Sequence, residues 1–352
     1  MAEDTSMTRG GRERPDRPPL AALLRPLVSG LLLSLKWLFT VLNRRQRQVL
    51  ARVPGALAVY CSISRLIKSS CSEDGIPCAR VNGLKLYMDP NQEASHAGAF
   101  LWGQYLPATS AIFFEAVADG DTVVDVGAHW GYFTLLAASL CGTHGRVFAF
   151  EPHPTNFAFL AKNVQANDLT NVVAIEKAVS DRAGYAKLFL ARTTVGHSLC
   201  TLPPQWRAEG DPATESIVVD TVALDEFFAQ SSVQPRLIKL NIEGAERLAL
   251  AGMRRLIERS PMLALITEFN PAYLNAKAAS DFLEQLAAWG FDLAALDDDR
   301  RQLEVAPVPG ILKRFLDEST IINILATRDR PLIDSLLRGR ESSGSRLLHG
   351  RS

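Results

Sequence analysis

The sequence predicts an α/β protein built on a mostly parallel sheet, and three observations carry that expectation. Between residues 122 and 297, short apolar runs of strand type alternate with amphipathic helical segments. The first run, "TVVDVG", passes directly into a glycine turn and a helix, "YFTLLAASL". Acids stand at the ends of consecutive strands, Asp125 in the first and Glu151 in the second. Strands alternating with helices of this length imply crossover units around a parallel sheet.

The elements follow in order. Residues 1–19 are polar and rich in proline and glycine, the composition of a disordered basic N-terminus. Residues 20–42, "LAALLRPLVSGLLLSLKWLFTVL", are apolar but interrupted by Arg25 and Lys36. A membrane-spanning helix needs about 20 nearly uncharged residues. A signal peptide needs a small-residue cleavage site nearby, and Ala56-Leu57-Ala58 is too far away. The favoured reading is an amphipathic or core-packing helix with Trp37 and Phe39 at an interface, able to make peripheral membrane contact. Helical patterning continues from Gln46 to Lys68, giving a helical extension over residues 20–78. "RVNGLKLYMDP" reads as a hairpin around Asn-Gly, and "SAIFFEAVADGD" as a helix capped at Gly120.

From there, "TVVDVG", "RVFAFEP", "VVAIEKAVS", "PRLIKLNIEG", "MLALITEFN", "FDLAAL" and "TIINILATR" are strands. The helices "NFAFLAKNVQAND", "AERLALAGMRRLIER" and "AASDFLEQLAAWG" separate several of them. The last strand has no helix before it in this reading, which suits an antiparallel strand at or near the sheet edge. An insert, residues 191–215, breaks the rhythm between strand-like runs Tyr185–Leu190 and Ser216–Val222, and its length suits a lid or substrate wall. The folded domain is expected over residues 79–330, and residues 331–352 as a largely disordered tail.

Composition narrows the partners. The 38 lysines and arginines balance 38 aspartates and glutamates, so overall charge gives no case for a nucleic-acid partner. The five cysteines form no C-x-x-C pair and read as reduced thiols of a cytoplasmic protein, with no metal-ligand spacing.

The turn Gly127-Ala-His129-Trp-Gly131 lacks the middle glycine that lets a pyrophosphate approach a dinucleotide site. Asp125 just before it suits an ammonium group better than a phosphate. Glu151, about 20 residues on, is placed to accept ribose hydroxyls; capping of the helix that follows is the plainer alternative. These acids favour S-adenosylmethionine, which has an amino-acid end, a ribose and no phosphate. A nicotinamide-dependent oxidoreductase stays open as the competitor.

At these residues the chain resembles the FkbM-type family of S-adenosylmethionine-dependent methyltransferases. The matching pieces are "DTVVDVGAHWGYFT", "GRVFAFEPHPTNFAFLAKNVQAND", "AVSDRAGYAKLFL", "VDTVALDEFF", "IKLNIEGAERLALAGM" and "LALITEFN". The resemblance implies a class I methyltransferase fold, a seven-stranded sheet with the last strand antiparallel. It implies cofactor contacts at Asp125, Gly127 and Gly131 for the methionine end, Glu151 for the ribose, and Ser180 and Asp181 beside the adenine, with His129 a polar replacement able to keep a cofactor contact. It implies O-methylation of a sugar, polyketide or other small-molecule or glycan hydroxyl. Where the family commonly has asparagine, this chain has His129; where the family has aspartate, it has Asn241. The second departure motivates a catalytically impaired, cofactor-binding alternative.

Removing a hydroxyl proton calls for a general base. Glu243 and Glu268 at strand ends are the candidates, with His129 and His197 as groups that titrate near neutrality. Lys239 is placed to neutralise Glu243 or a developing alkoxide, and Asn241 to hydrogen-bond the methionine end or the acceptor. Glu243 and Glu246 also open a helix, where acids are favoured by the macrodipole alone.

Overall fold

The computed structural model describes residues 72–73, 76–89, 105–191, 196–201, 215–270, 273–298, 302–318 and 321–341. The expected N-terminal disorder, the apolar segment 20–42 and most of the insert lie outside the described residues.

Strands β1 (Ser72–Glu73), β2 (Ile76–Val81) and β3 (Leu84–Tyr87) form a small antiparallel sheet. Asn82 and Gly83 link β2 to β3 with φ of 45° and 86°, the double left-handed turn for which Asn-Gly is suited. Then follow α1 (Pro107–Ala116), β4 (Thr122–Val126), α2 (Tyr132–Cys141), β5 (Arg146–Phe150), α3 (Pro154–Ala166), β6 (Val172–Ile175) and β7 (Ala178–Val179). The chain continues through β8 (Gly184–Phe189), β9 (Ser216–Val222), α4 (Leu224–Phe227), β10 (Leu237–Leu240), α5 (Glu246–Ala251) and α6 (Arg254–Glu258). It closes with β11 (Ala264–Phe269), α7 (Ala276–Ala288), β12 (Asp292–Asp297), β13 (Gln302–Val305), α8 (Val308–Glu318), β14 (Ile322–Thr327) and α9 (Arg330–Glu341).

The central sheet has eight strands in the order β13-β12-β14-β11-β10-β4-β5-β6. Strands β11, β10, β4, β5 and β6 are parallel, and β14 runs antiparallel between β11 and β12. This is an α/β, Rossmann-like sheet with its last strand reversed. The chain works outward from β4 to β6 and then crosses back to β10 on the other side of β4. In open sheets of this kind, ligands settle beyond the strand ends where the order reverses.

Side-chain alternation splits the core between the two faces. Val124, Val126, Ile238 and Leu240 pack with Phe228, Met253 and Phe282 on one side. Val123 and Leu237 pack with Phe113, Phe133 and Leu136 on the other. Helix α3 is fastened to the hairpin by two amides one turn apart. Asn163 accepts from Tyr87 N at 2.7 Å and donates to Tyr87 O at 2.9 Å; Asn167 does the same at Lys85, 2.7 Å each way. They complete the open edge of β3 as a neighbouring strand would.

Several expectations are corrected. Strand β14 lies inside the sheet, and the hairpin partner β13 supplies an eighth strand at the edge. A helix does precede β14: α8 starts in "VPG", and proline is tolerated in a first turn. Residues 330–341 are helical, so the tail expected from 331 begins with α9. Helix α1 ends at Ala116 with Val117 extended, and Gly120 belongs to the following turn. The single helix expected over "AERLALAGMRRLIER" is two. Gly252 breaks it where a Cβ would lie 2.1 Å from Ser180 O, and the Asp225 carboxylate accepts the amides of Arg255 and Leu256 to start α6. "VVAIEKAVS" is also divided. Its first half, β6, edges the main sheet, while β7 joins β8 and β9 in a separate three-stranded sheet.

Candidate active site

The turn after β4 alternates its handedness. Gly127, His129 and Gly131 all have positive φ, at 75°, 54° and 93°. Gly127 is confined further: a Cβ there would lie 1.9 Å from the Asn241 carbonyl oxygen. Backbone of the turn and backbone of the β10 end are therefore in direct contact, and only glycine fits between them. Asn241 N donates to Val126 O at 3.2 Å, which closes the same junction.

Glu151 follows β5 and is buried. One carboxylate oxygen accepts the His129 amide at 2.8 Å, and the other accepts the His153 amide at 3.0 Å and the Asn156 side chain at 3.4 Å. Burial pushes its pKa up to about 7, with these donors opposing the rise. Glu151 lines the pocket, and its carboxylate also holds the His153 amide and the Asn156 side chain at the start of α3.

The register of β4 and β10 sets Lys239 beside Asp125, and both point to the same face of the sheet. Their side chains meet at 3.3 Å with Asp125 fully buried. Thr134 of α2 donates to the other Asp125 oxygen at 2.7 Å, and Lys239 Nζ donates to Gly127 O at 3.1 Å. The Phe133 ring lies under the ammonium, 5.5 Å from its centroid. Lys239 thus pairs with Asp125 and ties β10 to the cofactor turn; the pairing with Glu243 considered from sequence is not the one made.

Three carboxyls gather at the C-terminal ends of β10 and β11. Glu243 has its pKa raised by burial, then by Glu268 and Glu246. Burial raises Glu268 too, opposed by hydrogen bonds from Asn270, at 3.2 Å, and Asn241 and by the Lys239 charge. Glu246 is pushed up to about 8 by burial and by Glu268, while it accepts the Ile242 amide at 3.0 Å. Glu243 itself sits at φ 54°, and Gly244 at 96° carries the Tyr273 ring where a Cβ would lie. Described residues of the insert cover this corner: Ser198 Oγ donates to Glu243 O at 2.5 Å, and Cys200 Sγ to Gly244 O at 3.4 Å.

One pocket brings most of the expected residues together. Gly127, His129, Glu151, Lys239, Asn241 and Glu243 line it; Asp125 and Glu268 lie directly behind it through Lys239 and Asn241. Gly131 shapes the start of α2. At the β6–β7 break the wall is made by Lys177, Ala178 and Val179, in place of the expected Ser180 and Asp181. Ser180 is instead bound to β9 through Val222 O, and its hydroxyl donates to Asp181 at 3.1 Å. His197 does line the pocket, but its Nδ1 accepts the Ala191 amide at 3.1 Å, and burial lowers its pKa to about 4. With that lone pair engaged, His197 is a neutral imidazole and a poor base. Sequence reasoning missed Tyr105, which lines the pocket, packs 5.1 Å from the Tyr132 ring, and has its pKa raised by burial and then by Glu268 and Glu243. No group of three or more His, Cys, Asp or Glu among the described residues is arranged to hold a metal ion.

The residues present fit S-adenosylmethionine. The described lining carries two cations, Lys239 committed to Asp125 and Lys177 at 3.9 Å from Asp220, and no arginine to hold a pyrophosphate. Glu151 presents an acid to the pocket, whereas Asp125 lies behind it, paired with Lys239 and Thr134.

Known methyltransferases share similarity with this chain. The hexuronic acid methyltransferase AglP of Haloferax volcanii is 27% identical over 151 residues, 42% of this chain and 56% of its own length. The chain therefore matches only about half of that relative. Among solved structures, methyltransferase FkbM from Methylobacillus flagellatus KT is 12% identical, covering 77% of this chain and 59% of its own at a TM-score of 0.35. A SAM-dependent methyltransferase from Aquifex aeolicus is also 12% identical, covering 62% and 88% at 0.33. A family model, the methyltransferase FkbM domain, matches residues 125–293. That span runs from Asp125 through the turn, the lysine pair and the carboxyl cluster to β12, and over it this chain is similar to the methyltransferase FkbM domain.

Proposed function

We propose that the reaction is O-methylation of a hydroxyl on a sugar or related small molecule. The observation that carries this reading is the carboxyl pair of partly buried Glu243 and buried Glu268, set beyond the cofactor turn. Burial raises the pKa of both acids and the Glu268 charge raises that of Glu243 further, which suits proton exchange with an acceptor. Asn241 and Asn270 donate to Glu268 and favour its charged form, which leaves Glu243 as the pocket-facing member that exchanges a proton.

S-adenosylmethionine supplies a methyl group already activated by its sulfonium. The protein's part is to place the hydroxyl and take its proton. Gly127 and Glu151 would hold the cofactor, with Asp125 steadying the turn from behind through Lys239; the Glu243–Glu268 pair would receive the hydroxyl proton. Lys239 keeps Asp125 and the turn in place, and its charge is committed there. The name of the relative AglP supports a sugar-type acceptor. A hydroxyl is the acceptor group that makes use of a base.

Methyl-labelled S-adenosylmethionine offered with neutral hexoses, aminosugars and hexuronates tests the reading. A base-stable ether product supports it; a base-labile methyl ester, formed on a carboxylate, would overturn O-methylation of a hydroxyl. A cofactor-binding protein without turnover is the second reading, motivated by Asn241. Asn241→Asp separates the two: beside Glu268 a new carboxylate should slow an active enzyme, whereas a gain of activity would favour the impaired form.

A further inference from the structure

His129 is a left-handed, non-glycine residue between two left-handed glycines. For an L-residue that conformation is disfavoured by about 1–2 kcal/mol, so something must hold it. Its amide donates to Glu151 at 2.8 Å, and Glu151 is itself anchored on its other oxygen by the His153 amide at 3.0 Å. Both anchors lie on rigid backbone, at the start of α2 on one side and of α3 on the other. The carboxylate is buried, so water does not readily replace these bonds. Neighbouring contacts support the same arrangement: the His129 ring packs 4.3 Å from that of Trp130, and Asn163 donates to Trp130 O at 2.7 Å.

We propose that Glu151 is a positioning residue for the cofactor turn, clamping His129 in its left-handed conformation in addition to any contact with a ribose. The clamp rests on the methyltransferase reading only in its ligand: the turn it holds is the one assigned to S-adenosylmethionine. It explains why the turn tolerates a histidine where a glycine would adopt the conformation freely. It also means that Glu151 acts on the methionine end of the site, through the backbone, as well as on the nucleoside end.

Two measurements test it on the full chain. Hydrogen exchange of the ligand-free protein should show the amides of residues 127–131 exchanging about tenfold faster in Glu151→Gln than in the wild type; unchanged exchange would overturn the clamp, whatever the ligand. Calorimetry with S-adenosylhomocysteine then reads its effect in a cycle of Glu151→Gln and His129→Gly. Glutamine at position 151 should weaken binding by about tenfold in the wild-type background, the factor equivalent to 1.4 kcal/mol. In the His129→Gly background the loss should be only about threefold, because glycine needs no clamp. An equal loss in both backgrounds would assign Glu151 to the ligand alone and overturn the proposal. Wild-type protein that fails to bind S-adenosylhomocysteine would count against the functional reading and leave the exchange result to decide the clamp. Melting temperatures confirm that each variant is folded.

Discussion

Both non-glycine residues with left-handed backbone at the pocket, His129 and Glu243, border the two halves of the proposed reaction. Strain held at such positions marks places that the surrounding structure over-determines. Glu243→Gln keeps the size of the side chain and removes its proton exchange. Turnover should fall by about 100-fold or more, with S-adenosylhomocysteine affinity within about twofold of wild type; equal turnover would remove Glu243 from catalysis. Gly127→Ala meets the Asn241 carbonyl, a backbone atom that cannot swing aside. Calorimetry should find S-adenosylhomocysteine binding lost, and a melting curve should show lower stability. At this scale the turn that shapes the pocket was legible, because Gly127, Gly131 and Glu151 follow strand ends at readable spacings. Tyr105 was not, because it comes from a separate segment and enters only through tertiary packing. Nor was the partner of Lys239, which depends on strand register, and a single sequence does not display register directly.

The elements that frame the site were legible where periodicity is strong and blurred where a chain break is tertiary. The Asn82-Gly83 hairpin could be read from its turn residues alone. The break at Gly252 could not, because it answers to the Ser180 carbonyl and the Asp225 cap, both distant in sequence. The asparagine edge of α3 is of the same kind. Asn163 makes three hydrogen bonds, to Tyr87 N, Tyr87 O and Trp130 O, and is fully buried. Asn163→Ala should destabilise the fold by about 2–4 kcal/mol through those stranded groups, read as a lower urea midpoint. Asn167→Ala, at a more exposed turn of the helix, should have about half that effect. A pair of neutral substitutions would show that the hairpin holds without them.

Across the molecule, the buried acids couple folding to pH. Glu151 and Glu246 are raised from 4.5 to about 7 and about 8. The folded state binds their protons more tightly than the unfolded state, so this stabilisation is fully present below the ordinary carboxylate pKa. It is lost as pH rises through the folded values. Wild-type stability should therefore decline between about pH 4.5 and 8, by on the order of 3–5 kcal/mol per group. Glu151→Gln and Glu246→Gln should flatten that decline in melting temperatures taken at both ends; parallel profiles would contradict the burial argument. The parallel sheet itself was legible from alternating strands and helices, and the place of β14 within it was not, because insertion between β11 and β12 leaves no local mark. Among the described residues no helix is long and apolar enough to cross a membrane. The reversal of strand order between β4 and β10 places turn, lysine pair and carboxyl cluster in one crevice, and the account stands on that crevice being a nucleoside site without a phosphate subsite. Calorimetry of the full chain with S-adenosylhomocysteine and with NAD tests it most directly. One saturable site for S-adenosylhomocysteine and none for NAD is the expected result; binding of NAD in its place would contradict the account.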